Sequence, residues 1–127
     1  MLEHYYLTAA DVVAMHDGQI RLHGGANGLR DRGQLESALH RPQTGYYIDL
    51  IQEAAALWES LSQNHPFVDG NKRTAITSTF AFLLGNGLRV TASDAERKVF
   101  VEARYESGTF GFDAADAWLR ENTETLK

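Results

Sequence analysis

Hydrophobic residues recur at helical spacing in six stretches of the chain, separated by glycine, proline or small polar residues. A capping pair, Thr8 and Asp11, precedes the first stretch, which ends near Gly24. Asp31 is placed to cap the second stretch, which ends before Pro42. These start and stop signals indicate a protein built mainly from α-helices.

The pattern of the middle of the chain predicts a buried central helix. A third helix is expected from about residue 48 to 63 and a fourth from about residue 71 to 84. Residues 74–88 contain no charged side chain, and a helix without a polar face belongs inside a bundle. Ser93 caps a fifth helix and Asp113 opens a sixth. We therefore expect an all-α bundle of about six helices around the fourth.

Two connections are extended or irregular by pattern. Residues 43–49 contain Gly45 and the pair Tyr46-Tyr47, and they fit either a loop or a short β-hairpin. Residues 88–91 read as a brief extended segment after the central helix. Apart from these, the interpretation needs no strand.

Composition and charge exclude several classes of protein. The 127 residues suffice for one domain, so we interpret 1–127 as a single domain. A net charge of −5 disfavours direct nucleic-acid binding, and no apolar stretch is long enough for a membrane span. The absence of cysteine excludes disulfides, zinc–thiolate sites and cysteine nucleophiles. No secretory signal pattern is present, which favours a cytoplasmic location.

Two features near the N-terminus have structural explanations. His16 and His23 are seven residues apart, without the i, i+4 spacing and nearby carboxylate typical of a metal pair, so packing or capping roles are expected. The glycine-rich residues 24–28 lack the Gly-Lys-Ser/Thr ending of a P-loop. A helix C-cap followed by a turn accounts for them.

The chemically richest segment lies between the third helix and the central helix. It reads His65, Pro66, Phe67, Val68, Asp69, Gly70, Asn71, Lys72 and Arg73. A helix N-terminus carries unpaired N–H groups and partial positive charge, and burying it is costly unless an anion binds there. Asn71 can cap this helix or donate to an oxygen, while Lys72 and Arg73 supply cations that suit phosphate. The segment therefore indicates an anion-binding site.

The residues before this predicted site add complementary chemistry. Asp69 is placed to hold Mg²⁺ together with a polyphosphate, because magnesium uses only one or two protein carboxylates. The imidazole of His65 can take a proton from an attacking hydroxyl. Phe67 is expected to point into the core and fix the loop. These residue types suit phosphoryl-type transfer, which needs positioning and charge neutralisation.

An ordinary surface turn is the alternative interpretation of the same residues. A His-Pro turn and an Asn-capped helix with Lys and Arg in its first turn also occur without function. However, cations at a helix N-terminus oppose the helix dipole unless an anion compensates. The placement of Lys72 and Arg73 thus favours a functional site without deciding it.

The segment from His65 to Arg73 resembles the signature of the Fic/Doc superfamily, and its Lys-Arg ending is similar to the Doc (death-on-curing) toxin branch. Residues 22–25, 28–31 and 35–38 also resemble the N-terminal half of that branch. The resemblance implies a compact helical Fic fold. It also implies an enzyme that transfers part of a nucleotide onto a protein hydroxyl.

Matched by position, the resemblance assigns a role to each residue of the motif. It implies that His65 is the general base and Phe67 the buried anchor. Asp69 is the metal-associated carboxylate, and Arg73 completes the catalytic set. The phosphate-binding loop and helix start are Gly70, Asn71, Lys72 and Arg73.

Two positions depart from the pattern of AMP-transferring Fic proteins. Lys72 stands where that pattern has its second glycine, and Ile76 where it has its second arginine. Both departures resemble Doc-type members, described as kinases that phosphorylate a threonine of elongation factor Tu and stall translation. The resemblance thus implies a type II toxin that uses ATP and Mg²⁺. An AMP transferase and a non-catalytic nucleotide- or protein-binding module are the alternatives.

The resemblance also implies protein partners. Doc-type toxins are inhibited by a small antitoxin whose disordered C-terminal segment folds along the toxin. Residues 117–122 lack the hydroxyl of the inhibitory helix that some Fic proteins carry, so inhibition in trans is expected. In the Fic layout, residues 43–49 form a flap that docks the target chain by strand addition. Tyr46 and Tyr47 are then docking residues; a surface loop with two half-buried tyrosines is the alternative.

Overall fold

The computed structural model describes residues 3–126, which form six α-helices and a two-stranded antiparallel sheet. The helices are α1 (Ala9–His23), α2 (Arg32–His40), α3 (Leu50–Gln63), α4 (Asn71–Gly85), α5 (Asp94–Ser107) and α6 (Phe112–Glu121). The strands are β1 (Leu88–Val90) and β2 (Thr123–Thr125), and a 3₁₀ turn, Arg41–Gln43, follows α2. The expected all-α bundle of about six helices is confirmed. Across residues 3–126, none of these helices is both long and apolar enough to cross a bilayer.

Side-chain caps set the starts of four helices. Thr8 and Ser93 each form a capping box at the start of α1 and α5, and the Asp31 carboxylate accepts from the first turn of α2. Asp49 likewise accepts from the backbone N–H of Gln52 at 2.9 Å. Helix α3 therefore begins at residue 50, two residues later than the hydrophobic pattern predicts.

Helices α3 and α4 form the centre of the bundle, and α1, α2 and α6 pack around them. The buried residues of α4 are Thr74, Ala75, Ser78, Thr79, Phe82 and Leu83. Trp58 of α3 is fully buried, and its ring contacts Phe80, Phe100, Phe110 and Trp118. This aromatic packing fixes α4 against α3, so the predicted buried central helix is confirmed.

The small sheet does not include residues 43–49, for which a short hairpin was one of the two expectations. Residues 43–49 contain the end of the 3₁₀ turn and bends but no strand, so the loop alternative is correct for this segment. The extended segment near residue 88 instead pairs with β2, with Arg89 opposite Glu124. Strand pairing requires a partner, and the C-terminal segment supplies it for β1.

Candidate active site

The motif residues lie on the loop that connects α3 to α4, which we term the motif loop (residues 64–70). His65 is exposed at the surface, and its backbone φ is +50°. Among residues 3–126, no hydrogen bond engages its imidazole ring. The ring is therefore free to meet a bound molecule.

A second loop, which we term the paired loop (residues 24–31), lies alongside the motif loop. The backbone N–H of Arg30 donates to the Pro66 carbonyl at 2.7 Å, and the N–H of Val68 donates to the Gly28 carbonyl at 3.0 Å. These bonds resemble those of an antiparallel ladder, with a bridge between Leu29 and Phe67. The shape of the motif loop thus depends on a segment about forty positions earlier in the chain.

Asp69 is fixed as a charged carboxylate at the end of the motif loop. Its two oxygens accept backbone N–H groups, from Ala26 at 3.2 Å and from Gly70 at 2.8 Å. These two bonds, with a smaller contribution from the Arg73 charge, hold the pKa of Asp69 below its ordinary value. The carboxylate is therefore ionised at any pH near neutral.

His16 of α1 supports the motif loop from the protein interior. Its ring is 1% exposed and stacks on the ring of Phe67 with centroids 3.8 Å apart. Its Nε2 lies 2.8 Å from the backbone carbonyl of Asp69, where it can donate. The expected packing role of His16 and the expected burial of Phe67 are both confirmed. The contact between His16 and the carboxylate-bearing residue is not apparent from the sequence.

Asn71 closes the motif loop instead of capping α4. Its side-chain oxygen accepts from the N–H of Phe67 at 2.9 Å, and its amide nitrogen donates to the Phe67 carbonyl at 3.0 Å. The capping position is held by Gly70, with φ of +74°, which a glycine adopts readily. Of the two expected roles of Asn71, the structure shows donation to an oxygen and not capping, because Asn71 is already the first helical residue. The N-terminus of α4 consequently has no side-chain cap.

The first turn of α4 lies at the surface, which corrects the expectation of a buried helix end. Lys72 and Arg73 are exposed, and burial begins only at Thr74. The Lys72 ammonium lies over the ring of Tyr105 at 4.7 Å, a contact that offsets part of the cost of a cation near the N-terminus. Within residues 3–126, Arg73 forms no ion pair, so its guanidinium remains available to an anion.

These residues surround one cavity of about 470 Å³. Its lining consists of His65, Val68, Asp69, Gly70, Asn71, Lys72 and Arg73. The structure thus brings together the predicted base, the predicted metal carboxylate and the predicted phosphate-binding residues. An open helix N-terminus faces the same space and favours an anion there.

The two predicted docking tyrosines do not line this cavity, and they differ from each other. Tyr46 is 82% exposed. Tyr47 is half-buried: its hydroxyl accepts from Arg41 Nε at 2.7 Å, and its ring stacks on Phe112. Tyr46 therefore remains a candidate contact for a partner chain, whereas Tyr47 anchors the segment to the bundle.

The donor set of the cavity suits Mg²⁺ held partly by a ligand. In residues 3–126 no cluster of three or more acidic or histidine side chains forms a protein-only metal site. Asp69 offers one exposed carboxylate, and each of its oxygens retains a lone pair after accepting one N–H. Mg²⁺ commonly binds through one or two carboxylates and the oxygens of a phosphate. The residues present fit such an ion.

Gly25 is a site residue that sequence reasoning missed. A Cβ at this position would lie 2.8 Å from Asp69 Oδ2, and its φ of +113° disfavours any other residue. The paired loop can approach Asp69 only because residue 25 has no side chain. The adjacent Gly24 does end α1 as expected, with φ of +79°. The sequence does contain a signal for this role: a helix C-cap needs one glycine, here Gly24, and Gly25 is a second one.

Replacing Gly25 with alanine is expected to raise the pKa of Asp69, because the added methyl displaces the carboxylate from the Ala26 N–H. In the native chain the lowered pKa favours the folded state at pH above the unfolded value. That contribution is lost as the pH falls through the lowered pKa. Carboxyl ¹³C NMR titration in EDTA measures the pKa directly. Gly24→Ala is the matched control, since it also has positive φ but meets no atom within 4 Å. Equal pKa values of Asp69 in the native and Gly25→Ala proteins would contradict the role of Gly25 in allowing the Ala26–Asp69 hydrogen bond.

Comparison with known proteins identifies the family of the chain. The model of the Fic/DOC family matches residues 6–83, which span α1 to α4 and include both loops. Toxin Doc of Mycolicibacterium smegmatis is 44% identical over 98 residues, which cover 72% of this chain and 73% of that protein. Protein kinase doc of Escherichia phage P1 is 33% identical over 89 residues, 67% of this chain and 71% of that protein. The chain therefore belongs to the Fic/DOC family, within its Doc toxin branch.

Proposed function

We propose that this protein is a toxin of a type II toxin–antitoxin system that transfers the γ-phosphoryl group of ATP to a threonine hydroxyl of a translation factor. Elongation factor Tu, in the cytoplasm, is the proposed target, and arrest of translation is the consequence. The names of two relatives, one a toxin and the other a protein kinase, support this direction.

The main support is the uncapped N-terminus of α4, which opens into the same cavity as His65 and Asp69. The free N–H groups of a helix end and its dipole attract phosphate. The Arg73 guanidinium adds a planar fork that binds phosphate oxygens. A nucleoside triphosphate fits these features better than a neutral ligand does.

In the proposed reaction, His65 accepts the proton of the target hydroxyl while the oxygen of that hydroxyl bonds to the γ-phosphorus. The bond from that phosphorus to the β–γ bridging oxygen breaks, and ADP leaves with the electron pair. Asp69 would hold Mg²⁺ with the phosphate oxygens, where the ion supplies charge neutralisation. The α4 N–H groups and Arg73 orient the phosphates for in-line transfer.

Ile76 favours phosphoryl transfer over AMP transfer. The AMP-transferring pattern has a second arginine at this position, whereas here an apolar side chain packs against the core. A second guanidinium that would bind the nucleotide is thus absent from this position.

A small antitoxin that covers the site in trans is the proposed inhibitor.

Transfer of label from ATP tests the reaction. The protein is incubated with Mg²⁺, purified translation factors including elongation factor Tu, and ATP labelled at either the α- or the γ-phosphate. We expect label from the γ-position alone on a threonine, and no transfer after addition of EDTA. Label from the α-position would change the assignment to AMP transfer. No label from either position, with ATP still bound, would support the non-catalytic binding module.

A further inference from the structure

Arg30 of the paired loop holds the backbone around His65. Its Nε donates to the His65 carbonyl at 2.8 Å, and its Nη2 donates to the Asn64 carbonyl at 3.2 Å and also to the His65 carbonyl. Its own backbone N–H donates to the Pro66 carbonyl at 2.7 Å. One residue therefore binds three consecutive carbonyl groups, centred on His65.

The backbone that Arg30 holds is unfavourable on its own. His65 has φ of +50°, and among residues 3–126 it is the one non-glycine residue with positive φ. Such a conformation is sparsely populated for a residue other than glycine, and it persists only where neighbouring groups impose it. The Arg30 side chain, which belongs to the paired loop, supplies hydrogen bonds that hold the backbone in this conformation.

The guanidinium suits this task better than other cationic groups. Its planar fork donates in two fixed directions at once, whereas an ammonium acts as a point charge. The bound carbonyls follow the end of α3 at Gln63, where a cation also stabilises the negative end of the helix dipole. Arg30 is not among the residues that line the 470 Å³ cavity.

We propose that Arg30 is a positioning residue for the reaction: by fixing the His65 backbone at positive φ it aims the imidazole at the hydroxyl to be deprotonated. This inference rests on the proposed role of His65 as the base. Small displacements of a catalytic group can reduce the rate by about 100-fold. Loss of Arg30 is therefore expected to reduce turnover without weakening nucleotide binding.

Kinetic comparison of Arg30→Ala with the native protein tests the proposal. We expect kcat to fall by about 10- to 100-fold, with the KM for ATP unchanged. Arg30→Lys should recover only part of this loss, because it restores the charge without the fork. The matched control is Arg32→Ala, since this neighbouring arginine forms an exposed pair with Glu36 at 3.6 Å. A normal kcat in Arg30→Ala, or an equal loss in Arg32→Ala, would overturn the proposal.

Two further measurements separate positioning from general destabilisation. In a His65→Ala background, Arg30→Ala should cause no additional loss of kcat, because the group that it positions is absent. A crystal structure of Arg30→Ala should show His65 outside the positive-φ region. If His65 keeps φ near +50°, the proposal is wrong whatever the activity. Native protein that transfers no label would refute the proposed function, and this crystal structure would still decide the role of Arg30.

Discussion

Replacing His65 with alanine is expected to lower the rate of the proposed phosphoryl transfer by about 10²- to 10⁴-fold, which is the contribution of a general base. The side chain is exposed, and its ring makes no hydrogen bond within the described part of the chain, residues 3–126. The fold should consequently survive the change. Initial rates of γ-label transfer measure the effect, and thermal unfolding of the same preparation measures the fold.

His40→Ala is the matched control for the His65 prediction, because His40 is also exposed but ends α2, outside the cavity lining. Its rate and melting temperature should match those of the native protein. In cells, His65→Ala should relieve growth arrest and His40→Ala should not. Full toxicity of a folded His65→Ala variant would remove His65 from the mechanism.

Replacing Phe67 with alanine is expected to cost about 3–5 kcal/mol of unfolding free energy, because the ring is removed from a packed interior. Phe67 is 2% exposed, stacks on His16 and belongs to the hydrophobic core. A loss of this size is comparable with the total stability of a small domain, about 5–15 kcal/mol. Urea denaturation followed by circular dichroism gives the change.

Val68→Ala is the control for the Phe67 prediction, since the neighbouring Val68 side chain is 55% exposed. Its unfolding free energy should change by less than about 0.5 kcal/mol, as is usual for surface substitutions. Similar losses in the two variants would mean that Phe67 does not anchor the loop. A folded Phe67→Ala protein would also be expected to lose the fixed position of Asp69, because His16 contacts both residues.

Features that depend on local sequence were predictable. The caps at Thr8, Asp31 and Ser93 are formed by side chains within three residues of the groups they satisfy. The absence of charge from residues 74–88 correctly indicated the buried helix. Strand β2 was not predicted, because three residues acquire a strand conformation only by pairing with β1, far away in the sequence.

The motif residues were predictable as a set because they are contiguous in the sequence. The contacts that hold them in place were not predictable. Helix α4 begins at residue 71, as the pattern predicts, so Asn71 lies within the first turn and its side chain bonds back to Phe67 instead of capping the helix. His16 and Arg30 contact the motif loop across 53 and 35 positions, respectively. Nothing in the local pattern of a single sequence reports contacts at such separations.

The dependence of the motif loop on the paired loop and α1 has a consequence for how inactive members could arise. A substitution at His16, Gly25 or Arg30 would disturb the placement of Asp69 or His65 while leaving every residue from 65 to 73 intact. Loss of toxicity in a natural variant would then result from a change between residues 16 and 30. A survey that scores only the nine-residue stretch would count such a variant as a working enzyme.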